Sequence, residues 1–412
     1  MTADTLTIPA HVLPESVVDF DLWSGPEIRE DPYLGMAHLH GGPKIFYTPR
    51  NGGHWGVTSA KYAREVMEDH LRFPVDLHFN PMRDEHGARL IPAQVDPPVH
   101  TRYRGIINPP MSPASAAKLS ETIRTLSREL IEGVRLNGGC DFFREIAQKF
   151  PIAIFMGMAD LPFDDRFELF AMVDLITHDS TPGAAGEGLR QMSEYLRGTI
   201  LERRESPGDD VLSIIATAKI DGEYPPEDDV IYLATNLVLG GLDTVISGLT
   251  YCMGYLARNP AQYRLLVEDP TGIRRAIEEL LRVYGPAALE RCVREDMAFH
   301  GTMLRKFDRI VIIPALYNTD PDTIEDPLRV DFNRSRQPAM TFGAGPHHCV
   351  GAHLARLEMR IFLEEWVKAI PQFSLQEGAK LQGIGGFVMQ LTSLPLSWDA
   401  NTTHNALTEQ SS

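Results

Sequence analysis

The chain is poor in cysteine. Four are present in 412 residues, Cys140, Cys252, Cys292 and Cys349, all far apart and without a Cys-x-x-Cys pair. That spacing excludes a local zinc cluster and offers no disulfide framework, as expected of a protein from a reducing cytoplasm. Positive charge is also scarce: 39 Lys and Arg stand against 56 Asp and Glu, a formal net charge of -17. Sequence-independent nucleic-acid binding needs a basic surface, so no nucleic-acid partner is expected. No apolar run approaches the ~18 residues of a membrane span. The strongest candidate, Val230 to Leu242, is about 13 residues long and contains Thr235, Asn236 and two glycines. The stretch from Met1 to Pro14 has no basic segment leading into an apolar one, so no secretory signal and no membrane association are expected. No Gly-x-Gly-x-x-Gly follows a strand pattern, so the chain carries no flavin or nicotinamide fingerprint of its own.

What is present is ordinary globular material, 43% hydrophobic and 23% charged, enough for a large core. Helical patterns outnumber strands. Ser112 and Pro113 open a long amphipathic helix to about Asn137, with Ala116, Leu119, Ile123, Leu126, Leu130 and Val134 on one face. Further helices are expected over Phe143–Met158, Arg166–Ile176, Leu189–Arg204, Glu227 to about Arg258, Thr271–Tyr284 and Val350–Ile370. Asn51-Gly52-Gly53 between Ile45-Phe46-Tyr47 and Trp55-Gly56-Val57 is a hairpin signal. Strands are expected at Arg309–Ile313, Phe387–Leu391 and Leu394–Trp398. The class is mainly α with a minor β part, in one domain over 1–412, with 399–412 a flexible tail.

Three stretches carry chemistry. The first is Phe342-Gly343-Ala344-Gly345-Pro346-His347-His348-Cys349-Val350-Gly351, a glycine-rich loop running into a helical pattern. It presents a thiol near a helix start, where unpaired N–H groups and the dipole favour an anionic sulfur. Such a sulfur is a metal ligand or a nucleophile. The second is Gly240-Gly241-Leu242-Asp243-Thr244 inside the apolar long helix. Paired glycines mid-helix cost about 1 kcal/mol each relative to Ala and often mark a kink. A carboxylate buried there must be paired or used. The pair either opens a groove for a small ligand beside a proton-carrying acid and alcohol, or only lets helices pack closely. The third is Glu278-Glu279-Leu280-Leu281-Arg282, in which Glu279 or Glu278 can meet Arg282 on one helix face.

The order Gly-Gly-x-Asp-Thr, Glu-x-x-Arg, then Phe-x-x-Gly-x-His-x-Cys-x-Gly resembles the cytochrome P-450 superfamily, the heme-thiolate monooxygenases. From about Trp55 to Trp398 the chain is most similar to the soluble bacterial camphor-hydroxylase group. Gly240-Gly241-Leu242-Asp243-Thr244-Val245, His353-Leu354-Ala355-Arg356, Asp96-Pro97-Pro98 and Leu394-Pro395-Leu396-x-Trp398 carry that likeness. The resemblance implies heme b (iron protoporphyrin IX) between the long central helix and the helix after the cysteine loop. Cys349 would be the axial thiolate, with Phe342 shielding it and Gly343, Gly345 and Gly351 letting the backbone approach the porphyrin. Thr244 would hydrogen-bond bound dioxygen, Asp243 would relay protons, and Gly240 would leave space for O2. Glu279 and Arg282 would form a buried structural pair. His347, Arg291, Arg104 and His100 would serve the propionates.

The same resemblance implies a substrate pocket of Phe79, Ala88, Leu90, Asn236, Leu239, Ala287, Phe387 and Val388. Ala88 stands where the camphor enzymes carry a ketone-binding tyrosine, Leu289 where they carry a carboxylate, and Asn236 where they have an apolar residue. The expected substrate is therefore a small apolar molecule other than camphor, a terpenoid or norisoprenoid, with Asn236 a donor to a carbonyl or ether. Electrons would come from a [2Fe–2S] ferredoxin and its NAD(P)H-dependent flavin reductase. Arg64, Arg104 and Arg356 are the candidate docking cations, and the enzyme is expected to be a cytoplasmic monomer. The rival readings are a heme-thiolate peroxygenase and a non-catalytic heme-binding protein. Neither needs the Asp243–Thr244 pair.

Overall fold

The fold was read from a computed structural model that describes residues 7–29, 31–76, 89–179, 181, 183–335 and 339–401. It is mainly α with small sheets. Strands β1 (Ile45–Thr48), β2 (His54–Val57), β3 (Leu289–Cys292) and β4 (Arg309–Ile312) form one sheet in the order β1-β2-β4-β3. The β1–β2 hairpin pairs Ile45 with Val57 around Asn51, Gly52 and Gly53, all at positive φ. Parallel β2–β4 and antiparallel β3–β4 pairing complete the sheet and place Arg291 opposite Ile310. Near the C-terminus, β5 (Gln390–Leu391) is shorter than the expected Phe387–Leu391, because Val388 only makes an isolated bridge to Ala287. Strand β6 (Pro395–Ser397) pairs with Gly139–Asp141 and Ser374–Leu375.

The helices that position the site are α1 (Ala60–Glu68), α2 (Val99–Ile107), α3 (Pro113–Lys118), α4 (Ser120–Arg135), α5 (Phe150–Ala159), α6 (Arg166–Thr177), α7 (Ala184–Glu205), α8 (Glu227–Leu242), α9 (Thr244–Arg258), α10 (Ile273–Val283) and α11 (Ala352–Ala369). Two expected helices are interrupted. The one opening at Ser112 has the expected cap, Ser112 accepting from Ser115 N, but bends at Leu119 into α3 and α4. The long apolar helix breaks at Asp243, whose φ of -120 is not helical. The Phe143–Met158 stretch begins as a π turn over Phe143–Ala147 before α5 starts.

The main core surrounds α8, α9 and α11. Residues 227–258 are long and apolar enough to cross a membrane by composition, yet 67% of an 18-residue apolar stretch within them is buried inside the protein, as in a core helix. Helix α11 lies against α4. In that layer Phe362 stacks on Trp366 and Phe142 meets both edge to face, all three fully buried, each stabilising by roughly 1.5–3 kcal/mol. Glu365 of α11 is held by Arg124 and Arg128 of α4 and by Lys368. A second, smaller core under the sheet joins β1, β2 and β4 to α1 and Ala344 of the cysteine loop.

Candidate active site

A cavity of about 870 Å³ lies between α8–α9 and the cysteine loop leading into α11. Cys349 forms part of one wall, and Gly240, Asp243 and Thr244 also line it. The loop is built by its own backbone. Cys349 N donates to Phe342 O at 2.8 Å and Gly343 N to Met340 O at 2.7 Å, with Gly343 and Gly345 at φ +74 and +67. Gly345 packs on the protein side of the loop. A Cβ there would lie 3.0 Å from Met67 O and 3.1 Å from Glu68 Cα, so it keeps the loop against α1. The Arg356 guanidinium sits 4.2 Å over the Phe342 ring.

Cys349 and Cys292 both line the cavity, and only Cys349 is exposed to it. Burial pushes the Cys349 thiol up, opposed by the N–H groups of Gly351 and Ala352 and by Arg104 and Arg356. The helix start alone therefore does not make a free thiolate. A thiol held up by burial is a poor free nucleophile, whereas a metal cation would bind it as the thiolate, so the environment fits a metal ligand better than a nucleophile.

A second wall carries two arginines and two histidines. His100 and Arg104 lie one turn apart on α2, Arg291 on β3, and His347 in the loop, all lining the cavity. His100 Nδ1, Arg291 Nη2 and His347 Nε2 are buried without a hydrogen-bond partner among the described residues. Burial takes His100 down to about 4 and Arg291 down to about 10. Asp96 lies 3.6 Å from His347 Nε2, too far for a hydrogen bond. Groups placed this way need an anion, and heme propionates supply two carboxylates. The volume is near the upper end of the ~300–1,000 Å³ usual for ligand sites. The residues present thus fit heme b.

The acid–alcohol pair sits at the helix break. Gly241 allows the break's close packing, since a Cβ there would lie 2.3 Å from the Phe155 ring, whereas one on Gly240 would meet nothing within 4 Å. The two glycines therefore divide the packing and open-space roles. The Thr244 hydroxyl donates to Gly240 O at 3.3 Å. Asp243 is 3% exposed and accepts at Oδ1 from Gln390 Nε2 at 2.6 Å. Burial pushes its carboxyl up against the lowering pull of His178, Thr177 and Gln390.

Glu279 and Arg282 form a bidentate buried pair, with both N–O distances 2.8 Å. Glu278 pairs instead with Arg356 at 2.6 Å, which settles the spacing ambiguity. Of the candidate docking cations, Arg64 is paired with Glu68, Arg356 with Glu278, and Arg104 lines the cavity. They do not form a free basic patch. Leu90, Asn236, Leu239, Ala287, Phe387 and Val388 line the cavity. Phe79 and Ala88 lie outside the described residues, as do 402–412 of the expected tail.

Sequence reasoning missed His178, Gln390 and Glu358. His178 and Gln390 meet Asp243 from remote segments, which no local pattern signals. Glu358 is wholly buried on α11, lines the cavity, and has its carboxyl pushed up to about 8 by burial, with Oε2 unpartnered. Its one visible signal is a charge on the apolar side of α11.

The sequence model of the family Cytochrome P-450 matches residues 272–380. The chain is 32% identical to probable cytochrome P-450 127A1 of Sinorhizobium fredii (strain NBRC 101917 / NGR234), over 96% of this chain and 97% of that one. It is 28% identical to cytochrome P-450-terp of a Pseudomonas species, over 91% and 94%. The crystal structure of CYP101C1 superposes with a TM-score of 0.86 at 33% identity, covering 95% of this chain and 100% of that one. The chain belongs to the cytochrome P-450 family, whose members are heme-iron monooxygenases. Heme b, bound through an axial cysteine thiolate, is its cofactor.

Proposed function

We propose that the chain hydroxylates an unactivated C–H bond of a small apolar substrate, a terpenoid or norisoprenoid, in the cytoplasm. Its electrons come from a [2Fe–2S] ferredoxin fed by an NAD(P)H-dependent flavin reductase. When bound, heme b would supply the oxidising chemistry, in which O2, two electrons and two protons yield one hydroxyl on carbon and one water. Cys349 anchors it, and His100, Arg104, Arg291 and His347 hold its propionates. The single observation that carries the reading is the broken helix α8–α9, which brings a buried acid and a hydroxyl to the cavity that Cys349 also lines.

Asp243 is suited to hold a proton, because burial favours its neutral form. The Thr244 hydroxyl, bonded only to Gly240 O, can turn to pass that proton to oxygen. Leu239, Ala287, Phe387 and Val388 exclude water from the reacting centre. The Asn236 amide also faces the cavity and is positioned to bind a carbonyl or ether. Of the expected pocket residues among those described, Leu90, Leu239, Ala287, Phe387 and Val388 are apolar and Asn236 is the one amide, which supports a compact hydrocarbon-like substrate.

The test is Thr244→Ala, assayed with ferredoxin, reductase and a ligand chosen for its low-to-high-spin optical change. Loss of proton delivery should cut product per NADH about tenfold or more and release peroxide. Full coupling in this variant defeats the proton-delivery role.

A further inference from the structure

A proton delivered through Asp243 has to be replaced from solvent. Gln390 occupies Oδ1 of that carboxyl, and Oδ2 has no hydrogen-bond partner among the described residues. Among the described residues, the basic group that faces Oδ2 is His178, its Nε2 at 3.8 Å. His178 follows α6 directly, and its side chain is 8% exposed. On its other edge, Nδ1 lies 2.9 Å from the Thr177 hydroxyl and 3.4 Å from Oδ1 of Asp174, which is 73% exposed. The imidazole thus stands between a buried carboxyl and a solvent-exposed one.

The hydrogen bonds set its proton. Nε2 lies 3.1 Å from the Val388 carbonyl, which can only accept, so Nε2 carries a hydrogen, and in the neutral imidazole Nδ1 is then the acceptor. At 3.8 Å the contact to Asp243 is too long for a hydrogen bond. A small swing of the ring exchanges one acceptor for the other. The charged groups beside the imidazole are Asp174 and Asp179 in its own segment and Asp243 across from it. The facing segment, Phe387–Leu391, carries none.

We propose that His178 is a positioning and relay residue that reloads Asp243 with protons from solvent at Asp174, its Nε2–H alternating between the Val388 carbonyl and Oδ2 of Asp243. The proposal rests on the reading of Asp243 and Thr244 as the proton-delivering pair. In the step, Nδ1 gains a proton from water at Asp174 and Nε2 loses one to Oδ2. The imidazole ends neutral, and a ring flip restores the starting tautomer. No electrons move. Val388 also lines the cavity. Substrate packed on Val388 therefore bears on the carbonyl that holds His178, so substrate contact and proton reloading share one hydrogen bond.

The test uses the ferric heme enzyme without substrate. The infrared band of the Asp243 carboxylic acid is identified by its loss in Asp243→Asn, and its exchange is followed on mixing with D2O. His178→Phe and His178→Gln should each slow that exchange about tenfold or more, since neither side chain passes a proton. His178→Phe should also keep the acid protonated to higher pH than in the wild type, because His178 favours the carboxylate. With ferredoxin-supported turnover, both variants should show a larger solvent isotope effect and more peroxide. His178→Gln decides alone if His178→Phe loses its Soret band. Wild-type exchange and wild-type coupling in His178→Gln overturn the relay. If Asp243→Asn still uncouples in that case, the acid–alcohol reading stands. If Asp243→Asn and Thr244→Ala are also fully coupled, that reading falls with it.

Discussion

Replacing Arg282 with Ala removes a guanidinium that ties α10 to the segment leading into the cysteine loop. Arg282 donates twice to Glu279, to Asn318 O at 2.9 Å, to Pro327 O at 2.7 Å and to Arg329 O at 3.2 Å. Not all of these partners would be stranded. Glu279 keeps Arg334 Nε at 2.9 Å and the Asp331 N–H at 3.0 Å, and Arg329 O keeps Arg334 Nη2. Asn318 O and Pro327 O lose the guanidinium. Breaking a buried pair costs roughly 3–5 kcal/mol, and each stranded carbonyl about 1–3 kcal/mol. The surviving contacts of Glu279 offset part of this, so the expected loss is about 4 kcal/mol. Against a typical total of ~5–15 kcal/mol, that leaves a marginal fold. The damage should reach the thiolate. The Asn318 side chain accepts from Met340 N at 2.7 Å and donates to Thr341 Oγ1 at 2.9 Å, immediately before Phe342. Denaturant unfolding of the ferric enzyme, followed at the Soret band, measures the loss. The red-shifted band of the reduced carbonyl complex measures retained thiolate ligation. Arg282→Lys should fall between, because an ammonium cannot serve five contacts in a plane. The reasoning is refuted if Arg282→Ala unfolds within about 1 kcal/mol of wild type with its red-shifted band intact.

The glycine pair should respond asymmetrically. Gly241→Ala drives a Cβ into Phe155 and should lose about 1–2 kcal/mol, overpacking outweighing the gain in helix propensity. Gly240→Ala should unfold no more easily than wild type yet narrow the range of ligands that shift the spin state, which optical titration will show. Glu358 gives a pH signature. With its folded-state value raised to about 8, the folded protein binds more protons than the unfolded chain between pH ~4.5 and 8. Its effect on stability is most favourable below that window, declines through it at up to about 1.4 kcal/mol per pH unit, and is flat above it. Glu358→Gln should flatten this decline in denaturant unfolding measured at several pH values, and an unchanged slope would assign the proton elsewhere.

The parts of the fold legible in the sequence were those fixed by local rules. The β1–β2 hairpin follows from Asn51-Gly52-Gly53, and the start of α3 from Ser112-Pro113, because turn and cap chemistry act within a few residues. The bend at Leu119 and the π turn at Phe143 were not legible, since both sequences keep a helical period through the irregularity. Spacing could not choose between Glu278 and Glu279. Tertiary structure does, placing Arg356 beside Glu278 and Arg334 beside Glu279. The packing of Gly345 was hidden for a similar reason. The demand for positive φ is local, but the surface it packs on belongs to α1, almost three hundred residues earlier in the chain.

The helix break at Asp243 joins these two kinds of information. Gly240-Gly241 weakens the helix locally, so a kink is predictable from composition alone. Why the chain keeps a carboxyl at that kink is not local. A buried carboxyl without partners is costly, and the groups around it, Gln390 and His178, come from segments more than two hundred residues apart in sequence. Were the break only a packing accommodation, Gly241 against Phe155 would suffice and Asp243 could be apolar. Instead one carboxylate oxygen is fixed by an amide and the other is left open beside an imidazole. A structural salt link would close that 3.8 Å gap. A group that must accept and release a proton is better served by leaving it open.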